Sequence, residues 1–301
     1  MIQIDNFSYT YGKSRHTVFD GLNLSFREGR IYGLLGANGV GKTTLLYNIL
    51  GLLQAKRGTI TMDGTDVRLR RPEVTAECFI IPEEFELPPY SLKKYVEIHA
   101  PFYPKFSAKD MRRNLALFGM EENPQMGRLS MGQKKKVLMS FAMACNTRLL
   151  ILDEPTNGLD IPSKSQFRKL ITSGMSESRT IIISTHQVAD IENILDNVVI
   201  LSGGKVIFDH SIAETGEALL FGENLPGAIY TQPSPGGFYT VAPNTDGEES
   251  AVRLELLFNA VLMNREAIER AFSTRREAAP AEKDYTAYMP KGESEKASVE
   301  L

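Results

Sequence analysis

Eight consecutive residues, Gly36-Ala37-Asn38-Gly39-Val40-Gly41-Lys42-Thr43, restrict what this chain can fold into more than any other stretch of its 301. They fit the pattern G-x-x-x-x-G-K-[ST]. Before them, 31–35 is a short apolar run of the kind a buried strand needs. After them, Leu45, Leu46, Ile49, Leu50 and Leu53 recur at helical spacing, which predicts a helix over 43–53. A strand, a glycine-rich loop and a helix in that order turn successive backbone N–H groups inward and set the positive end of the helix behind them. That arrangement holds an anion. Lys42 adds a point charge suited to the β and γ phosphates of a nucleotide, and Thr43 a hydroxyl suited to Mg²⁺. The predicted nucleotide site runs from Gly36 through Thr44.

A second run, Leu149-Leu-Ile-Leu152, ends in Asp153 and Glu154. Taken alone, an acidic pair after four aliphatic residues reads as a strand passing into a loop. Downstream of a phosphate loop it reads as chemistry: Asp153 holds Mg²⁺, usually through water, and Glu154 accepts a proton from an attacking water.

The remaining chain organises around these two segments. Residues 1–30 alternate in short β-type runs broken by Gly12, Gly21 and Gly29, as an antiparallel hairpin does. Between about 84 and 146, β signals give way to helical segments over 91–99, 108–118 and 133–144. Buried-strand runs return at 149–152, 180–184 and 198–201, alternating with helices, so the core is α/β with a mostly parallel sheet. Residues 216–272 form a small C-terminal region containing one or two amphipathic helices, and 273–301, highly charged and poor in aliphatic residues, is expected to be a disordered tail. A net charge of −3 offers no basic field for nucleic acid, and none is expected as a partner. Two cysteines without paired spacing, an opening without an apolar signal core and no run long enough to span a bilayer predict a cytoplasmic chain.

Arg128-Leu-Ser130-Met131-Gly132-Gln133-Lys-Lys-Lys136 resembles the LSGGQ signature of ABC ATPases, and Asp153-Glu-Pro-Thr-Asn-Gly-Leu-Asp160 resembles their Walker B segment running into the D-loop. His186, in Ile-Ile-Ile-Ser-Thr-His, is similar to the switch histidine, and Tyr11 to the aromatic residue that stacks on adenine, with Tyr9 as its rival. This resemblance spans residues 1 to about 210. It implies a P-loop NTPase (RecA-like) core with an antiparallel β subdomain and a helical subdomain, the small C-terminal region being an appendage to that 1–215 unit. It also implies ATP and Mg²⁺ as cofactors, with Thr43, Asp153 and Glu83 toward the metal and Glu154 and His186 toward hydrolysis. Ser130, Gly132 and Gln133 then act across a head-to-tail dimer, with Asp160 in the D-loop between the two sites. By itself, Ser130 reads more readily as an ordinary helix N-cap.

Two positions depart from the family pattern. Glu83 stands where a glutamine is usual, and Met131 replaces the first signature glycine. The resemblance implies a subunit on the inner face of the membrane, paired with a second copy or a similar cassette, that drives a separate permease chain in an exporter-like system. Tyr90, Tyr95, Phe102, Tyr103 and Phe106 read either as a groove for a helix of that permease or as the helical segment's own core. The alternative function is a soluble ABC ATPase, for instance in cluster assembly. The apolar helix over 251–261 reads as a regulatory or dimer-stabilising surface, or as one packed on its own domain.

Overall fold

The computed structural model describes residues 1–12, 17–55, 57–248 and 250–278. The chain begins with a hairpin of β1 (Ile2–Thr10) and β2 (Thr17–Phe26), followed by β3 (Ile31–Leu35) and α1 (Lys42–Ile49). Next come β4 (Arg57–Met62), β5 (Thr65–Asp66), the short α2 (Pro72–Thr75) and β6 (Cys78–Ile81). A helical stretch follows: α3 (Leu92–His99), α4 (Ala108–Leu117) and α5 (Met131–Ala144). The chain then returns through β7 (Leu149–Asp153), α6 (Ile161–Ser173), β8 (Thr180–Thr185), β9 (Asn197–Ser202), β10 (Lys205–Ser211) and α7 (Ile212–Ala218). It closes with β11 (Leu219–Glu223), β12 (Tyr230–Ser234), β13 (Gly237–Pro243), α8 (Leu254–Met263) and α9 (Arg265–Ala278).

The central sheet has the order β10-β9-β3-β8-β7-β6, parallel except for β10. Its inner strands are covered on both faces, which is why β3, β7 and β8 are buried along their whole length and read as unbroken apolar runs. Alternate positions feed two cores. Leu34, Ile151, Ile182 and Val199 join Leu45 and Leu46 of α1 and the antiparallel sheet β2-β1-β4-β5. Leu35, Leu152, Ile183 and Ile200 face the opposite side, toward α5, α6 and the C-terminal helices.

Predicted boundaries move: the helix expected over 251–261 is α8, Leu254–Met263, and the one expected over 43–53 ends early. Helical spacing continues to Leu53, but α1 stops at Ile49, because Leu52 N–H bonds Tyr47 O (2.9 Å) and Gly51 N–H bonds Asn48 O (3.0 Å). These two bonds form a Schellman C-terminus, with Gly51 at φ +64° as its left-handed residue. A β-carbon there would meet Val67 O at 2.3 Å.

The C-terminal residues build a three-stranded antiparallel sheet, β11-β13-β12, closed by α8 and α9. Leu254, Leu256, Leu257 and Val261 are buried in one apolar cluster with Leu195 and Phe208, and Glu192 Oε1 accepts from Leu254 N–H at 2.5 Å. The apolar face of that helix is therefore covered by the chain itself. Of the predicted tail, 273–278 continues α9, and 279–301 lies outside the described residues. The aromatic residues of the helical stretch are mostly its own core: Tyr95, Tyr103 and Phe106 gather on Phe141 of α5, while Phe102 is 68% exposed. No helix among the described residues is long and apolar enough to cross a membrane.

Candidate active site

The C-terminal ends of β3, β7 and β8 point into one cleft of about 260 Å³, lined by Asn38, Gly39, Gly41, Lys42, Thr43, Thr44, Glu83, Asp153, Glu154 and His186. Ligands collect at this edge of a parallel sheet because the strands end there and the helices begin. The loop from Gly36 to Gly41 holds left-handed backbone at Gly39 (φ +77°) and Gly41 (φ +108°). At Gly41 a β-carbon would lie 2.6 Å from Val18 Cγ1 and 2.8 Å from Phe19 Cζ. Gly41→Ala is therefore expected to cost about 1–3 kcal/mol through overpacking and backbone strain. It should also weaken nucleotide binding, since Gly41 is the residue that turns the chain into α1. Thermal melting together with titration of a fluorescent ATP analogue reads both effects.

Lys42 is buried, and its ammonium donates to Gly36 O (2.8 Å) and Ala37 O (3.3 Å). It stands 4.0 Å from Glu154 Oε1. Burial pulls its pKa below the usual lysine value, against the opposing pull of Glu154, Asp153 and Glu83. Loop carbonyls and Glu154 thus hold the charge in the cleft, where an incoming phosphate would meet it.

Thr43 Oγ1 donates to Asp153 Oδ2 at 2.6 Å, and Ser184 Oγ donates to the other carboxylate oxygen. The hydroxyl that ends one strand–loop unit is thereby joined to the carboxylate that ends another. Glu154 sits at φ +47° with its side chain buried. Its Oε2 accepts from Thr185 Oγ1 (3.0 Å), and its Oε1 accepts from His186 N–H (3.1 Å) and lies 2.8 Å from His186 Nδ1. His186 is exposed, between this carboxylate and the open cleft. Glu83 lies across from them, its Oε1 accepting from Asn157 Nδ2 at 3.2 Å.

Tyr11 hydroxyl bonds Thr44 Oγ1 at 2.8 Å, and its ring meets Tyr9 edge-on, with centroids 5.0 Å apart. Tyr9 is buried and Tyr11 is 44% exposed; neither lines the cleft, and Tyr11 adjoins it through its bond to Thr44. Ser130, Gly132 and Gln133 are not among the residues lining the cleft. Ser130 Oγ accepts from Gln133 N–H (3.3 Å) and Gln133 Oε1 accepts from Ser130 N–H (3.0 Å), a capping box that starts α5. A β-carbon on Gly132 would touch Gly158 O at 3.4 Å, so the start of α5 adjoins the loop before Asp160. Asp160 caps α6 by accepting from Ser163 N–H at 2.9 Å, and hydrogen bonding from the Ser163 side chain, then from this N–H, holds its carboxyl below the usual range.

Sequence reasoning missed Ser184, Thr185, Asn157 and Lys135. Lys135 hides in a run of three lysines that looks solvated, yet it is buried. The available signal is its register: it shares a face of α5 with Leu138, Met139 and Ala142.

The profile of the ABC transporter family matches residues 19–157. The bacitracin transport ATP-binding protein BcrA of Bacillus licheniformis is 31% identical over 221 residues, covering 70% of this chain and 71% of that protein. This chain belongs to the ABC transporter ATP-binding family. The ABC transporter ATP-binding protein YtrB of Bacillus subtilis is 29% identical over 267 residues, 83% of this chain and 91% of that protein, a span long enough to run beyond His210 into the C-terminal sheet. Among solved structures, an ATP-binding subunit of an ABC transporter superposes with a TM-score of 0.63 at 25% identity, covering 71% of this chain and 91% of that one. As a cassette of this family, the chain binds and hydrolyses ATP to power a transporter.

Proposed function

We propose that two copies of this chain, or this chain and a similar cassette, close head to tail over two ATP molecules and pass the movement to a separate transmembrane permease at the inner face of the membrane. The observation that carries this reading is the meeting of Lys42, Thr43, Asp153, Glu154 and His186 around one cleft. The glycine loop and Lys42 take the phosphates, with Tyr11 stacking on the adenine. Glu154 accepts the proton of the attacking water, and His186, bonded to it, contacts the γ-phosphate and reports its loss.

Among the described residues no group of three or more His, Cys, Asp or Glu side chains gathers to hold a metal by protein donors alone. The donor set of Thr43 hydroxyl, Asp153 and Glu83 nevertheless suits Mg²⁺, a hard ion that takes few protein oxygens and completes its shell with phosphates and water. When bound, Mg²⁺ supplies charge neutralisation of the phosphates.

A dimer is supported by the face around the start of α5. Met131 (57% exposed) and Ile161 (84% exposed) stand open beside Ser130, Gly132 and Asp160, away from the cleft those residues would serve. A second subunit would cover them and bring Ser130 to its partner's γ-phosphate. The relatives named for transport or export, BcrA among them, support an exporter rather than a soluble ATPase. Affinity capture of the tagged protein from detergent-solubilised membranes is expected to recover a permease chain in stoichiometric amount. Recovery of soluble partners alone would reject the transport role.

A further inference from the structure

Beneath the cleft lies a set of bonds that the hydrolytic reading leaves unused. Lys135 is 3% exposed and extends from the first turns of α5 to two carbonyls, Asn157 O at 2.9 Å and Glu154 O at 3.2 Å. Both carbonyls belong to the segment between β7 and α6. Asn157 is the centre of this segment. Its Nδ2 donates to Glu83 Oε1 (3.2 Å), and its Oδ1 accepts from Gln187 Nε2 (3.0 Å), the residue after His186. Four separate elements thus meet at one asparagine and one lysine: α5, the end of β6, the loop after β7 and the end of β8.

We propose that Lys135 and Asn157 are positioning residues, a joint that transmits the placement of α5 to the Glu154 backbone and so aligns the Glu154 carboxylate for the proton it accepts. This rests on the reading of Glu154 as the proton acceptor.

The geometry favours a positioning role over simple cohesion. Glu154 holds φ +47°, a conformation that a non-glycine residue keeps only when its surroundings impose it. The Lys135 ammonium on its carbonyl and Ser184 O on its N–H (3.0 Å) grip its peptide groups from both sides. A buried ammonium is also an expensive way to tie two loops together, since it must be desolvated. Burial does pull the Lys135 pKa down, opposed by Glu83, Glu154 and Asp153 in that order. Two buried ammoniums, Lys42 and Lys135, therefore face three carboxylates, and Lys135 meets them from the side of α5. Because α5 begins at the capped Ser130, the joint links the signature segment directly to the catalytic carboxylate.

The test compares the full-length wild type with Lys135→Met, Lys135→Arg, Asn157→Ala and Glu154→Gln in steady-state ATP hydrolysis, with thermal melting of each. Misplacing a reacting group by about an ångström costs on the order of 100-fold in rate. Lys135→Met, which keeps the aliphatic stem and removes the donor, is expected to lower kcat by about 10- to 100-fold while KM for ATP stays within about twofold. Lys135→Arg should recover most of that loss. Asn157→Ala, at a partly exposed loop position, should lower kcat about tenfold without moving the melting midpoint, which keeps the test decisive if Lys135→Met folds poorly. Turnover of Asn157→Ala within about twofold of wild type, or a risen KM with kcat unchanged, would overturn the joint. If Glu154→Gln itself still turns over, the proton-acceptor reading has failed instead; if Glu154→Gln is dead and the joint variants are normal, only the positioning role falls.

Discussion

Glu154→Gln is expected to reduce ATP turnover by about 10²- to 10⁴-fold, the range a general base contributes, and to leave ATP binding intact. The substitution keeps the shape of the side chain but removes its capacity to take a proton. It also changes what its neighbours meet. Oε1 now accepts from His186 N–H and stands against His186 Nδ1, and Oε2 accepts from Thr185 Oγ1. A carboxamide offers one acceptor oxygen where these groups need two. Lys42, 4.0 Å away, loses a counter-charge and becomes freer to pair with phosphate. ATP should therefore bind at least as well and persist, so the variant accumulates as an ATP-bound dimer. Phosphate release measured beside size-exclusion chromatography in ATP and Mg²⁺ reads both consequences. Turnover within tenfold of wild type would remove Glu154 from the role of base.

Most of the residues lining this cleft are legible in the sequence because each element there has a local cause. A run such as Leu149-Leu-Ile-Leu152 suits a strand buried on both faces of a parallel sheet, and the carboxylates that follow it emerge at the strand's end. The glycines of the phosphate loop announce left-handed backbone that side-chain-bearing residues rarely adopt. Less legible were contacts made by residues whose local pattern points elsewhere. Lys135 looks like one of three solvated lysines and is buried by α5 packing over the loop after β7. Helical spacing overran α1 because Leu53 continues the apolar register after Gly51 has ended the helix; the glycine, not the periodicity, carries the boundary. For the 251–261 helix, periodicity reports an apolar face but not its cover. Which surface meets it depends on β12, β13 and Glu192, partners too distant in sequence for any window to register.

Phe141→Ala is expected to destabilise the protein by about 3–5 kcal/mol, the usual cost of removing a buried phenylalanine. That is a large share of the 5–15 kcal/mol that typically separates folded from unfolded states. Phe141 is fully buried on α5 and sits among the rings of Phe79, Tyr95, Tyr103 and Phe106, with centroids 5.9, 5.1, 6.1 and 5.4 Å away. Phe79 belongs to β6 of the central sheet, whereas Tyr95 belongs to α3, so one side chain locks the helical layer to the core. Collapse around the vacated space is limited, since these rings come from separate elements that cannot all move inward together. The loss should therefore be local before it is global. Hydrogen exchange is expected to accelerate across 92–144 well before it does in β3, β7 and β8. Because Ser130 and Lys135 ride on the same helix as Phe141, ATP hydrolysis should fall at temperatures where the sheet is still protected. Phe141→Leu, which keeps more of the buried volume, should retain most of the stability in urea denaturation. If both variants unfold at the same urea concentration as wild type, the helical layer is held by contacts other than this aromatic cluster.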